Sequence, residues 1–329
     1  MPIRVLVIRF SSIGDLVLTT PVIRALRRQA GAEVHLLTKR SMLPVMAHNP
    51  YLERIWTIEK SVNEIAGDLR AQRFDYLIDL HRNLRSLHAK LICFPARSYS
   101  FDKLNWKKYL LTRWKIDRLP DVHVVDRYLA AAAPLGVAND GAGLDYFIGP
   151  GEGIDPAAAG LPADYAAFVI GAAHATKRLP EAKLVELCRA YRTRPILLLG
   201  GPEERELGDR IAAAAGDHVS NACGKYPLNS SADLVRQARV VLTHDTGLMH
   251  VAAAFRKPIV SVWGNTVPAF GMTPHLPAGG TDLRMEVKGL ACRPCSKIGH
   301  EACPLGHFNC MQRQDVEKMV AALDRLGRE

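Results

Sequence analysis

Four turns in this 329-residue sequence follow short apolar runs and carry residue types able to do chemistry. The first, Arg9-Phe10-Ser11-Ser12-Ile13-Gly14-Asp15, comes directly after Val5–Ile8. Gly14 lets the backbone approach a ligand closely, the serine hydroxyls can cap a following helix, and Asp15 falls in that helix's first turn. Asp15 has two readings: a helix-start carboxylate complementing the macrodipole, or a general base. The second turn, Thr243-His244-Asp245-Thr246-Gly247-Leu248-Met249-His250, follows Val240–Leu242. A helix opening near Gly247 would offer free N–H groups and a positive end to an anion, and Gly leaves room for a phosphate to touch the backbone. Thr246 and His250, four apart, would share one face of its first turn. The alternative is a capped helix with His250 in the core.

The third turn, Gly171 to Pro180, contains Lys177, a point charge suited to a phosphate and equally an ordinary surface lysine. In the fourth, Gly200-Gly201-Pro202-Glu203-Glu204, a carboxylate beside a glycine turn can accept hydrogen bonds from ribose hydroxyls, or the two acids can be solvated first-turn residues.

These turns need strands and helices to position them, and the chain has the material. Hydrophobic residues make up 48% and charged residues 23%, which excludes a disordered tail and leaves ample core for two domains. Lys and Arg number 43 against 33 Asp and Glu, a formal charge of +10 that suits nucleotides, phosphorylated sugars, nucleic acid or an anionic membrane face. No apolar run reaches the roughly 18 residues of a membrane span, and Val5–Ile8 is too short for a signal-peptide core, so a cytoplasmic location is expected. Seven Cys in a long chain of that kind are expected to be reduced thiols.

Buried-strand runs at 5–8, 34–37 and 76–80 alternate with helical patterns at 16–28, 61–73 and 83–92, with Pro21 kinking the first or opening its second segment. The second half repeats the scheme. Strands are expected at 167–171, 196–199, 240–242 and 259–262, and helices at 181–191, 203–215 and 247–255, with one more capped by Ser230 or Ser231 and running through Ala238. Alternation of this type predicts parallel sheets covered by helices. A Gly/Pro/Ala-rich linker over 149–162 puts the boundary near residue 160, giving domains 1–160 and 161–329. Two doubly wound domains are expected to bind ligands in a cleft at the carboxyl ends of their strands.

Together the motifs resemble glycosyltransferase family 9, the heptosyltransferases of the lipopolysaccharide inner core. The resemblance rests on Ser11–Asp15, Thr20–Arg27, Asp79-Leu80-His81 with Arg85-Ser86, His123 with Arg127, Lys177-Arg178-Leu179-Pro180, and above all Asp245-Thr246-Gly247-Leu248-Met249-His250. It implies a GT-B fold, two Rossmann-like domains with acceptor on the first and sugar nucleotide on the second. It also implies an inverting transferase taking ADP-L-glycero-β-D-manno-heptose to a lipopolysaccharide core or lipid A acceptor beside the inner membrane. In that reading Asp15 is the base, and Lys177, Thr246, Gly247 and His250 hold the diphosphate. Glu204 meets the ribose, while Ser12, Gly14, Arg85, His123 and Arg127 serve the acceptor. Attack at the anomeric carbon builds oxocarbenium character and expels a nucleoside diphosphate, so one carboxylate opposite cations and N–H donors is the chemistry required, with no metal at the reaction centre. Alternatives are a GT-B enzyme using another nucleotide sugar and a non-catalytic sugar-nucleotide-binding protein.

Arg82, Arg85, Lys103, Lys107, Lys108, Arg113, Lys115 and Arg118, interleaved with Phe101, Trp106, Tyr109 and Trp114, could rest on an anionic lipid surface or grip acceptor phosphates, or form a plain solvated face. No nucleic-acid-reading motif accompanies them. Cys292-Arg293-Pro294-Cys295 with Cys303 and Cys310 raises a structural metal, but the later spacings lack a second paired knuckle.

Overall fold

A computed structural model of the chain describes residues 2–328. By contacts the chain divides into two units: one takes the residues up to Lys103 together with Val122–Gly149, the other Leu104–Asp121 and the residues from Pro150 onward. The division falls at Gly149, earlier than the composition suggested, because the linker is bonded into the second unit. Asn229 Nδ2 donates to both oxygens of Glu152 at 3.0 and 2.9 Å, and Ile154 N donates to Asp233 Oδ2 at 2.8 Å.

The first unit is a five-stranded parallel sheet of β1 (Arg4–Ile8), β2 (Glu33–Lys39), β3 (Arg54–Ile58), β4 (Tyr76–Asp79) and β5 (Arg97–Ser100), in the order β3-β2-β1-β4-β5. Its helices are α1 (Ile13–Val17), α2 (Thr20–Arg28), α3 (Leu43–Met46), α4 (Ala66–Ala71) and α5 (Leu84–Ile92). The segment of the second unit that follows contributes α6 (Asn105–Trp114), and the first unit resumes with α7 (Val124–Ala132). Pro21 lies in the first turn of α2, where its missing N–H costs nothing, so it opens a second helix rather than kinking one. Leu6, Ile8, Leu37, Trp56, Phe74 and Leu77 form part of the buried core.

The second unit holds a six-stranded parallel sheet: β6 (Ala166–Val169), β7 (Ile196–Leu199), β8 (Val219–Asn221), β9 (Val240–His244), β10 (Ile259–Trp263) and β11 (Asp282–Glu286), ordered β11-β10-β9-β6-β7-β8. Around it lie α8 (Glu181–Ala190), α9 (Arg205–Ala215), α10 (Leu228–Gln237), α11 (Gly247–Ala254), α12 (Asn309–Gln312) and α13 (Val316–Leu326). The expected serine cap on α10 is corrected: the helix starts earlier, after Pro227, and Ser230 and Ser231 lie buried inside it, with Ser230 Oγ donating to the Glu152 carbonyl at 2.9 Å. Each unit is thus doubly wound, with its strand order reversing between β1 and β4 in one and between β9 and β6 in the other. Chain turns leaving such a switch point are where α/β sheets put ligands.

Candidate functional site

At the switch point of the first unit, β1 is followed directly by Arg9, whose guanidinium is fixed by the scaffold. Its Nε donates to Ser11 O at 2.8 Å, and Nη1 to the Leu80 carbonyl and to the Tyr128 hydroxyl at 3.0 Å. What remains of the fork, Nη2, meets Asp15 Oδ1 at 2.7 Å. Asp15 Oδ2 accepts from Ser12 N at 3.1 Å and Ser12 Oγ at 2.9 Å, so the carboxylate does close the start of α1, as its helix-start reading requires. Burial alone would raise this carboxyl, but Arg9 and the Ser12 hydrogen bonds outweigh it and hold it below the usual carboxylate range. A carboxylate offers about four lone-pair positions, and these contacts use three, leaving one at a side chain that is 20% exposed. An ionised acceptor with a position in reserve is the raw material of a base.

β4 ends beside β1 in Asp79, which is buried and satisfied. Its Oδ1 accepts from His81 N at 3.0 Å and Arg82 N at 2.6 Å, and its Oδ2 from Ser86 Oγ at 2.8 Å and Lys90 Nζ at 2.9 Å. This carboxylate builds the turn into α5. His81 packs edge-on against Phe10 with ring centroids 5.2 Å apart, and burial together with the Arg9 and Lys103 charges lowers its imidazole to about 4, so it is neutral at pH 7. Of the expected acceptor residues, Ser12 and Gly14 belong to the Asp15 turn, and Arg85 stacks its guanidinium 5.4 Å from the Phe10 ring centre. His123 caps α7, accepting from Val125 N at 3.2 Å, and the buried Arg127 donates to Asp102 O at 3.1 Å.

In the second unit three neighbouring strands, β9, β6 and β7, deliver the turns around Asp245, Lys177 and Glu204. Lys177 Nζ lies 2.7 Å from Asp245 Oδ2, which also accepts from Thr266 Oγ1 at 2.9 Å. An ammonium has three donors, so this bond aims Lys177 and leaves two for a ligand. Thr246 is the extended N-cap of α11 with no side-chain cap bond, Gly247 opens the helix, and both are half-buried, while His250 is buried one turn further on. The opening of α11 therefore sits one residue from the Asp245 carboxylate that holds Lys177.

Glu204 is almost fully buried: Oε2 accepts from Gly201 N at 2.8 Å and Oε1 pairs with Arg178 Nη1 at 3.1 Å. Burial raises it above an ordinary glutamate against the pull of the Gly201 N–H and Arg178. Gly171 and Gly200 make room for it, since a Cβ on either would lie 2.8 or 2.9 Å from its side chain. His244 ends β9 fully buried. Its Nε2 accepts from Leu179 N at 3.0 Å, and burial with the Arg178 charge lowers it to about 4, so a neutral imidazole pins the Lys177–Pro180 turn to the sheet.

The cysteine-rich tail braces these turns. Thr176 N donates to His300 O at 3.1 Å and His300 N to Thr176 Oγ1 at 2.8 Å, gripping the residue before Lys177. Arg293, inside the Cys-x-x-Cys, donates to Gly264 O at 2.6 Å and Thr266 O at 3.0 Å and pairs with Glu286 at 2.7 Å. Among the described residues no group of three or more His, Cys, Asp or Glu is placed to hold a metal ion, the candidate set Cys292, Cys295, Cys303 and Cys310 included. Burial and the neighbouring thiols raise Cys295, and push Cys310 up to about 11. Sequence reasoning missed Arg9, Asp245, Thr266 and Arg293 as partners. The first two stood inside the quoted turns, while the others are distant in sequence and carry no local signal.

Comparison with known proteins adds the family. The model of glycosyltransferase family 9 (heptosyltransferase) matches residues 62–302. Lipooligosaccharide heptosyltransferase 2 of Haemophilus influenzae is 31% identical over 115 residues, which is 33% of this chain; the chain thus matches about a third of that relative, 33% of its length. Lipopolysaccharide heptosyltransferase 1 of Pseudomonas aeruginosa is 28% identical over 295 residues, covering 81% of this chain and 80% of that one. The solved structure of Escherichia coli ADP-heptose lps heptosyltransferase II superposes with a TM-score of 0.75 at 20% identity, covering 99% of each chain, a likeness of fold.

Proposed function

This chain belongs to glycosyltransferase family 9, the heptosyltransferases, and from that membership we propose that it moves a heptose from ADP-L-glycero-β-D-manno-heptose to an inner-core lipopolysaccharide acceptor, inverting the anomeric centre. Asp15 takes the proton of an acceptor hydroxyl, and that oxygen attacks the anomeric carbon. The bond from that carbon to the phosphate oxygen breaks, and ADP leaves with the electron pair. Lys177 and the N–H groups opening α11 at Thr246 and Gly247 meet the growing diphosphate charge, with His250 behind them. Glu204, kept in place by Gly201 and Arg178, accepts from the ribose hydroxyls. Ser12, Gly14, Arg85, His123 and Arg127 serve the acceptor. The reaction as proposed requires the acceptor hydroxyl deprotonated by Asp15 to reach the anomeric carbon of a donor held by the second unit, and needs no metal at the reaction centre, because Lys177 and the helix terminus supply the positive charge. It places the enzyme in the cytoplasm at the inner membrane's anionic face, where the lipid-borne acceptor is presented.

The observation that carries this reading is the pairing of Lys177 with Asp245 beside the opening of α11, a cation aimed where a helix terminus is also positive. The experiment is a thermal shift with ADP, UDP and GDP, followed by ADP release from ADP-heptose with defined truncated lipid A acceptors. Stabilisation by ADP above the other two, and ADP release only with acceptor, are expected. Preference for UDP would transfer the chain to another nucleotide sugar, and ADP binding without release would leave a binding protein.

A further inference from the structure

Residues 81–116 hold nine Lys and Arg against the single acid Asp102, and so account for eight of the chain's ten net positive charges. The same stretch holds most of the large apolar side chains that stand exposed among the described residues. On α5, Leu84, Leu87 and Leu91 recur at three- and four-residue spacing and share one face, continued by Phe94 just beyond the helix. Leu84 is 85% exposed, Leu91 69% and Phe94 82%, while Ala89 and Ile92 on the other side enter the core of the first unit. The helix contains no acid and carries two half-buried cations, Arg85 over the Phe10 ring and Lys90 paired with Asp79.

On α6, in the second unit, Trp106 and Tyr109 stack with ring centroids 5.7 Å apart, and the Arg113 guanidinium lies 5.8 Å from the exposed Trp114 ring centre. Lys107 and Lys108 are interspersed. Single exposed leucines are ordinary, whereas a row of them on an acid-free, cationic helix is not.

We infer that the outer faces of α5 and α6 are monotopic docking surfaces for an anionic phospholipid bilayer, Leu84, Leu87, Leu91 and Phe94 entering the headgroup–acyl boundary and Trp106 and Trp114 settling at headgroup level. Charge selects this occupant. A stretch of chain with eight net positive charges repels a second copy of itself and attracts lipid phosphates, and apolar anchors beside the cations fit a bilayer interface rather than a polar polyanion. Trp and Tyr favour that boundary because their rings carry one polar end. Among the described residues no helix is long and apolar enough to cross a membrane, so the attachment is to one leaflet. The inference deepens the proposed reaction by naming the surface on which a lipid-borne acceptor is met, and rests on that reading only for its biological purpose.

The test is flotation of the full chain with vesicles of pure phosphatidylcholine and of an equal mixture with phosphatidylglycerol. The wild type floats with the mixed vesicles and not with the neutral ones, and high salt releases it. Leu87→Ser with Leu91→Ser and Phe94→Ser, or separately Trp106→Ser with Trp114→Ser, lowers the partition by about tenfold or more. Both variants keep the melting temperature, since every altered side chain is exposed. Full flotation of the serine variants, or no preference of the wild type for anionic vesicles, overturns the proposal. So does a wild-type dimer that the serine variants abolish, which would assign the face to self-association. A deacylated, water-soluble acceptor separates this from the reaction: undiminished transfer to it by the serine variants supports an anchoring role, and its loss there would place α5 or α6 in the catalytic machinery instead. No transfer by the wild type would count against the reaction and leave the flotation result standing.

Discussion

The two switch points are built from the same parts with the charges exchanged. In the first unit an anion, Asp15, faces outward and is held by a cation, Arg9, tied to Leu80, Tyr128 and Ser11. In the second unit a cation, Lys177, is held by an anion, Asp245, tied to Thr266. A doubly wound turn therefore does not decide what it binds; the sign of the residue rooted in the scaffold decides which charge is offered to the ligand. The first arrangement suits taking a proton and the second suits holding a diphosphate, which is the division of labour a transfer between an alcohol and a sugar nucleotide needs.

Breaking each half should produce different symptoms. Asp15→Asn keeps the shape and the Ser12 contact but removes the base, so kcat falls by about 10³ while the ADP dissociation constant stays within twofold, measured by steady-state kinetics and calorimetry. Lys177→Ala loses the charge aimed at the diphosphate, so ADP affinity and turnover fall together, turnover by ~10². Arg9→Met sharpens the contrast. With the guanidinium gone, burial is the main remaining influence on Asp15, so the acid limb of kcat/KM, which lies below the ordinary carboxylate range in the wild type, moves above it. The same change leaves the partly buried Asp15 carboxylate with only its Ser12 bonds and should cost about 1–3 kcal/mol in a denaturant titration.

Smaller effects follow from the supports. Gly171→Ala drives a Cβ into Glu204 Oε2 and should cost ~1–3 kcal/mol of stability. His81 and His244 are held neutral, each lowered to about 4 from the ordinary 6.5. The unfolded chain thus takes up their protons first, and stability declines as pH falls from about 6.5 to about 4, with no further contribution from either below that; melting temperatures across this range check the slope. Least of all should be the response to chelation: transfer after treatment with EDTA is expected to match the untreated enzyme.

Much of this comparison was legible in the sequence, and what was missed has a common cause. The interior strands β1, β2, β4, β6, β7, β9 and β10 announce themselves as apolar runs because both faces are buried. The four strands that sequence reasoning did not find, β3, β5, β8 and β11, are the edges of their sheets. An edge strand such as Arg97-Ser98-Tyr99-Ser100 is polar and largely exposed, so it carries no such run. The turns with Asp15, Lys177, Glu204 and Thr246 were readable because glycine and helix-capping chemistry is local. Their partners were not: Lys177 meets Asp245 across 68 positions of chain, and the tail residue His300 meets Thr176 across 124, contacts that only the strand order creates.

The central claim is that a single carboxylate, Asp15, drives one direct displacement on a donor held by the opposite charge arrangement. Its most direct test is proton NMR of the anomeric centre of the first product formed from ADP-L-glycero-β-D-manno-heptose and a truncated core acceptor. The account predicts a product of inverted, α configuration. A product that retains the β configuration would require a second displacement and would contradict it.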